Sequence, residues 1–267
     1  MRVHQVRIDF NVTEEIVRYV YVYIVEAQNC YLIDSGVYGC QEIICNKLRQ
    51  IGRKLTDIKA VFLTHAHPDH IGTAAWFQEK TGCRIYAGAG EKRWIEDIDL
   101  QFKERPIPNF YKLAGKSSKV DIVVKDGDNI IPEDNLTVKI AGTPGHSAGE
   151  VSYIIGDAAF IGDSVPVKGD IPIYISAEDT LRSLDKIAEF KDVNYYYPAW
   201  DKTYSKIEMQ NKLKDAYEIV ETIGKIVTEV GKDMNMPELV DYVCTKMNMP
   251  FLKTNPLFGR TVASYNS

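Results

Sequence analysis

Six side chains able to bind a metal ion fall in three short segments of the chain: His65, His67, Asp69 and His70, then His146, then Asp163. The chain has five histidines and three of them lie within residues 65–70, which is hard to reconcile with a surface turn that is histidine-rich by accident. Imidazole and carboxylate are ligands that Zn²⁺, Fe²⁺ and Mn²⁺ accept, and a catalytic metal needs about three of them plus an open position. His65 and His67 are two apart, so in extended backbone both imidazoles project to one side. Asp69 and His70 follow Pro68, where the chain turns toward a helix.

The three segments share a context. Residues 60–63 are an apolar run that reads as a buried strand, and the first cluster begins just past its end. His146 follows the alternating run 136–140 and a Thr143-Pro144-Gly145 turn, and Asp163 follows the apolar run 158–161. If those strands share an edge, the loops converge on one site. Further strands are predicted over 17–25 and 30–33, joined by a short connection, and over 83–87 and 151–155. Helical spacing marks 41–51, with Gly52 as its C-terminal cap, and 71–80. Ser176 reads as the cap of an outer helix that continues through Phe190. The segment 91–118, broken by Pro106 and Pro108, reads either as a cover over the site or as a surface excursion. His4 lies outside these patterns and reads as an ordinary strand or surface histidine.

The arrangement HxHxDH after a strand resembles the metallo-β-lactamase-fold superfamily, and the later segments TPGHS (143–147) and FIGD (160–163) resemble that family's next motifs in the same order. The resemblance covers roughly residues 17–200. It implies an α/β fold of a particular kind, an αβ/βα four-layer sandwich with the metal site at one edge. It implies that His65, His67 and His146 hold one metal, that Asp69 and His70 hold a second, and that Asp163 bridges the two. The metal expected is Zn²⁺, one or two ions, with Fe or Mn as alternatives. Asp34, in the LIDSG segment 32–36, is expected to support the ligand loop from beneath; the residue alone would read as a strand-end turn. One departure stands out. The family's last ligand histidine has no counterpart here, because no histidine follows His146; Trp200 stands in its place, and indole offers no acceptor nitrogen. Asp201 is a candidate substitute as an oxygen ligand and Tyr195, Tyr196 or Tyr197 as a hydroxyl; otherwise the second position has only Asp69, His70 and the shared Asp163, which weakens binuclear binding without excluding it.

The function implied is hydrolysis: metal-acidified water attacks a small ester, thioester or lactone, and Asp69 orients the water and accepts its proton. The alternatives are a mononuclear-iron oxidoreductase of the persulfide dioxygenase kind, using two histidines and Asp163, and a degenerate metal-binding module without activity. A net charge of −5 over 267 residues gives no electrostatic reason to expect nucleic acid. No apolar run is long enough to span a bilayer, no leader pattern opens the chain, and the five scattered cysteines lack a CxxC pair, so the protein is read as cytoplasmic with a small-molecule substrate. The division expected is a catalytic domain over 1–204 and a helical appendage over 205–267. The appendage carries an apolar stripe from Leu213 to Val230 ending at Gly231, a helix over 237–247 and a third starting near Thr254 with Pro256 just inside it. It is read as packing on the catalytic domain, with a homodimer contact or a part in the substrate pocket as the alternatives.

Overall fold

A computed structural model describes residues 1–230, 234–253 and 255–265. In chain order the first half holds β1 (Arg2–Asn11), β2 (Val17–Glu26), β3 (Cys30–Ile33), α1 (Gln41–Gln50), β4 (Ile58–Phe62), α2 (Pro68–Ile71), α3 (Ala74–Thr81), β5 (Arg84–Gly88), α4 (Lys92–Glu96), α5 (Ile98–Glu104), α6 (Phe110–Ala114) and β6 (Ile122–Val124). The second half holds β7 (Asn129–Glu133), β8 (Leu136–Gly142), β9 (Val151–Ile155), β10 (Ala158–Gly162), α7 (Ala177–Ala188), β11 (Tyr195–Pro198), β12 (Tyr204–Ser205), α8 (Lys206–Val230), α9 (Met236–Lys246) and α10 (Pro256–Ala263).

The strands form two six-stranded sheets in the orders β1-β2-β3-β4-β5-β6 and β12-β11-β10-β9-β8-β7. Alternation along each strand makes both sheets two-faced. In β4, Ala60 and Phe62 face the second sheet while Val61 faces the helices; in β10, Ala158 and Phe160 face inward while Ala159 and Ile161 face outward. The space between the sheets is filled largely by aromatic rings: Phe62 lies 4.7 Å from Tyr86 and 5.2 Å from Tyr153, and Phe160 stacks on Tyr197 at 5.0 Å. A fully buried ring such as Phe62 or Phe160 contributes about 1.5–3 kcal/mol. Helices α1 and α3 cover the first sheet, and α7 and α8 cover the second. This is the four-layer sandwich expected.

Three local differences have physical reasons. β1 was not expected, although Val6, Ile8 and Phe10 alternate with exposed residues; it pairs along its whole length with β2, and His4 sits in it with Nε2 2.8 Å from Glu26. The helix expected over 71–80 is broken into α2 and α3 at Gly72 and Thr73. Gly72 N–H donates to Gly36 O at 2.7 Å, and a Cβ there would lie 2.2 Å from the Tyr38 nitrogen, so backbone packs on backbone where a continuous helix would not fit. Helix α9 is capped by Asn235, which accepts from Glu238 N–H at 3.1 Å, and α10 by Asn255, which accepts from Leu257 N–H at 2.9 Å. Gly231 and Thr254, expected to end and begin helices, lie outside the described residues.

The C-terminal helices share one apolar cluster with Tyr174 of the segment after β10. Tyr174 donates its hydroxyl proton to Tyr265 at 2.6 Å, and Tyr265 donates to Val220 O at 2.6 Å. Thr261 donates to Pro172 O at 2.9 Å. These bonds hold Thr261 and Tyr265 against the 172–174 segment and α8.

Candidate metal centre

The expected ligands do meet. The ligand atoms of His65, His67 and His146 lie within 4.8 Å of one another, and so do those of His65, His70 and Asp163. They come from the segments just past the C-terminal ends of β4, β8 and β10, all interior strands of the two sheets, with His70 in α2. Two glycines make the second-sheet turns. Gly145 before His146 has φ +136° and a Cβ there would strike Thr180; Gly162 before Asp163 has φ +51° and a Cβ would come 2.6 Å from Glu150 Oε1.

Hydrogen bonds fix which nitrogen each histidine turns inward. His146 Nδ1 lies 2.7 Å from Ile173 O, so it carries the proton and Nε2 keeps its lone pair. Asp34 accepts from Thr64 N–H at 2.7 Å, from the Thr64 hydroxyl at 2.9 Å and from His70 Nδ1 at 2.8 Å. The Thr64 hydroxyl, its proton given to Asp34, accepts from His65 Nδ1 at 3.0 Å. One carboxylate therefore sets two tautomers, leaving Nε2 of both His65 and His70 free. Asp34 itself has φ +58°, and its N–H donates to Phe62 O at 2.9 Å, so it lies beneath the ligand loop as expected.

Four buried atoms at the centre have no hydrogen-bond partner among the described residues: His65 Nε2, His70 Nε2, Asp69 Oδ2 and Asp163 Oδ1. Asp163 Oδ2 stands 3.8, 3.5 and 3.3 Å from the Nε2 atoms of His65, His70 and His146, and Asp69 Oδ2 stands 3.6 Å from His70 Nε2. Leaving such atoms unpaired costs on the order of 1–3 kcal/mol each. A divalent cation fits this set of nitrogen and oxygen donors and would satisfy them. His146 Nε2 and His67 Nδ1, 2.8 Å apart, bond to each other, and both atoms are of the kind a metal takes.

The charges follow from burial and proximity. Burial drives His65 and His67 well below the ordinary imidazole range and brings His146 down to about 4. His70 goes the other way: burial opposes its protonation, but Asp163, Asp34 and Asp69 outweigh it and hold it well above that range. Burial pushes Asp69 up, and Asp163 adds to this; Asp163 itself, raised by burial, is brought below the carboxylate range by His70 and His146. In the metal-free protein a proton on His70 thus balances part of the acidic cluster.

Two buried carboxyl groups absent from the sequence expectations tie the loops together. Glu91 accepts from Ala66 N–H at 2.8 Å, Ser147 Oγ at 2.8 Å and Gly149 N–H at 2.7 Å, joining the first ligand loop to the His146 loop. Glu150 accepts from Asp163 N–H at 2.8 Å and lies 3.7 Å from His65 Nδ1; burial and Asp163 hold it well above the carboxylate range.

The expectation for Asp201 is corrected. Its carboxylate accepts from the Tyr204 hydroxyl, from Lys202 N–H at 2.8 Å and from Lys212 at 3.1 Å, so it is committed away from the centre. The tyrosines do not substitute either: Tyr195 is exposed, Tyr196 stacks on Phe190, and Tyr197 packs between the sheets. Trp200 does line the site, with the Arg18 guanidinium 4.2 Å above its ring. The centre opens into a cavity of about 440 Å³ whose walls are mostly apolar, among them Phe10, Ile107, Leu113, Val165 and Ile173. Ile107 and Leu113 belong to the 91–118 segment, and Phe251 and Leu257 bring the C-terminal region into the same wall. Both regions therefore shape the pocket.

The sandwich and the convergent histidine and aspartate loops define a metallo-hydrolase architecture, and the chain belongs to the metallo-beta-lactamase superfamily, whose model matches residues 16–200. A probable metallo-hydrolase of Bacillus subtilis (strain 168) is 28% identical over 156 residues, 56% of this chain and 64% of that protein. This chain therefore spans less than two thirds of that relative's length. A hydroxyacylglutathione hydrolase of Nitrosomonas europaea is 28% identical over 240 residues, 88% of this chain and 79% of that one. Among solved structures, a metallo-beta-lactamase family protein of Thermus thermophilus superposes with a TM-score of 0.74 at 16% identity, covering 98% of this chain and 92% of that one. At that identity the likeness concerns the fold.

Proposed function

We propose that this protein is a zinc-dependent hydrolase of a small ester, thioester or lactone, with room for two metal ions. The observation that carries the reading is the convergence of unpaired ligand atoms from His65, Asp69, His70 and Asp163 beside His67 and His146, in the wall of a mostly apolar cavity. His65, His67 and His146 would hold one ion; Asp69 and His70 would hold a second, with Asp163 shared. With Asp201 turned away, the second position draws on three protein ligands, which suffices for a catalytic metal. A bound divalent cation supplies Lewis acidity, lowering the pKa of water and polarising a carbonyl.

The protein's own groups do the rest. Asp34, directly and through Thr64, holds His70 and His65 with Nε2 inward. Asp69, mostly buried beside His70, would orient the attacking water and take its proton on the carboxylate oxygen that the metal does not hold. The apolar walls exclude competing water and seat the substrate body. The name of the Nitrosomonas relative describes hydrolysis of an acyl thioester, which makes that class the first to assay. We treat residues 1–204 as the catalytic unit and 205–267 as an appendage that completes the pocket, in a reducing compartment consistent with five buried, unpaired cysteines. The test is a panel of aryl esters, acyl thioesters and lactones with the zinc-loaded protein and Asp69→Asn. Turnover lost at least ~100-fold in the variant supports the reading. Iron in the isolated protein, with oxygen uptake on persulfides and no hydrolysis, would overturn it.

A further inference from the structure

Arg105 is 6% exposed, lines the cavity together with His67, Asp69, His146 and Asp163, and makes no side-chain hydrogen bond or ion pair with any described residue. Its guanidinium nitrogens are not among the fully buried unpartnered atoms, and Asp69, Asp163 and Glu91 attract its charge without bonding it, so the side chain sits in the cavity wall with no direct partner. Its position is built with care. Asp97 caps α5 by accepting from Leu100 N–H at 2.9 Å, and Ile98, Gln101 and Arg105 follow at helical spacing on the buried face. Gln101 donates to Ala66 O at 2.6 Å, which fixes that face against the ligand loop between His65 and His67. The Arg105 N–H donates to Gln101 O at 2.7 Å, and Pro106 ends the turn. Arg260 of α10 donates to Glu104 O at 2.6 Å and adds positive potential beside it.

No neighbouring acid is free to pair with Arg105. Glu91 is occupied by Ala66, Ser147 and Gly149, and Asp69 and Asp163 are metal ligands in the proposed function, so a loaded centre neutralises them. The other cation lining the cavity, Arg18, is already bonded to both oxygens of Asp170 at 3.0 and 2.9 Å. Burial lowers the Arg105 pKa only to about 10, so it keeps its charge at neutral pH.

We propose that Arg105 anchors an oxyanion on the substrate, a carboxylate or a phosphate, so that the molecule hydrolysed is an apolar acyl compound with one negative group near its scissile carbonyl. That the anion belongs to a substrate rests on the hydrolase reading, and the availability of Arg105 rests on a metal ion holding Asp69 and Asp163; the place of Arg105 in the cavity wall does not depend on either. The planar fork of arginine binds either oxyanion through two parallel bonds, and the shared chemistry is what the cavity selects.

The test uses zinc-loaded protein and three matched thioesters: glutaryl, the neutral pentanoyl isostere and a phosphate-bearing acyl analogue. Calorimetry of glutarate, inorganic phosphate and pentanamide is run in parallel, with Arg105→Gln and Arg105→Lys beside the wild type. The expected result is an anionic substrate preferred about 10- to 100-fold in kcat/KM, mostly through KM, with the preference collapsing toward unity in Arg105→Gln and partly kept in Arg105→Lys. A preference for glutaryl or for phosphate identifies which oxyanion is taken. Glutarate or phosphate binding that is lost in Arg105→Gln without any hydrolysis would support the anion site while refuting the hydrolase reading. Equal use of neutral and anionic thioesters by the wild type, or a preference that survives in Arg105→Gln, would overturn the inference. If Arg105→Gln does not fold, a glutaryl preference undiminished in Arg105→Lys would overturn it equally.

Discussion

Asp34→Asn is the substitution that most sharply separates support of the ligands from ligation itself. Asparagine tolerates the left-handed backbone at this position, φ +58°, better than most residues, so the fold survives. The carboxylate accepts from Thr64 N–H, the Thr64 hydroxyl and His70 Nδ1, at 2.7, 2.9 and 2.8 Å. An amide has one oxygen and one NH₂, so it cannot accept from both sides. With the NH₂ toward His70, it donates to Nδ1 and moves the imidazole proton to Nε2, blocking the lone pair that faces the centre. With the NH₂ toward Thr64, two donors oppose each other. Either way one charge-assisted bond, about 1.5–3 kcal/mol, is lost. Loss of such a support typically weakens metal affinity about 10- to 100-fold. A zinc titration against a chelator of known affinity reads this directly, and nitrogen NMR of His70 reads the tautomer. A folded Asp34→Asn protein that binds zinc within twofold of the wild type would refute the hydrogen-bond account.

Other consequences are equally open to measurement. In the metal-free protein, burial lowers His146 from about 6.5 to about 4, so the unfolded chain takes up the proton first; its contribution to stability is present above pH 6.5 and lost as pH falls toward 4. That window corresponds to ~3 kcal/mol, and the stability difference between wild type and His146→Gln, from urea midpoints, should shrink by this amount between pH 7 and 4; a flat difference counts against the assignment. All five cysteines are buried, with Cys30 pushed up to about 11 and Cys40 to about 12 by burial, so a thiol reagent at pH 8 should label the native protein only at the rate of unfolding. Rapid labelling of any one of them would contradict the packing described. Phe258→Ala, removing a fully buried ring of α10, should cost about 3–5 kcal/mol of C-terminal stability and raise KM, because Leu257 beside it lines the cavity. An unchanged KM would show that the C-terminal wall does not touch substrate.

Much of the centre was legible because its residues lie in short runs. The histidine pair, His146 after its Pro-Gly turn and Asp163 after its strand each announce themselves through residue type and position at a strand end. What failed was of two kinds. Asp201 looked like a replacement ligand because it neighbours Trp200 in sequence, yet Tyr204, Lys202 and Lys212 claim its oxygens, and nothing local in sequence discloses that competition. Glu91 and Glu150 were missed because their partners lie elsewhere along the chain, Ser147 being 56 residues from Glu91, and Arg105 because its place beside the centre comes from the docking of α5 on the first ligand loop. Arg105 did leave a trace, since Ile98, Gln101 and Arg105 share one helical face just before Pro106. β1 left one too, in the alternation of Val6, Ile8 and Phe10. The split between α2 and α3 left little, because Gly72 reads as tolerable in a helix until the backbone of Val37 and Tyr38 is seen against it.

The central claim is that these six side chains form a metal centre, and elemental analysis tests it most directly. Protein isolated without added metal, compared with Asp163→Ala, should hold close to two equivalents of zinc, and the variant at most one. Wild-type protein that retains no metal and fails to bind added zinc at micromolar concentration would contradict the account.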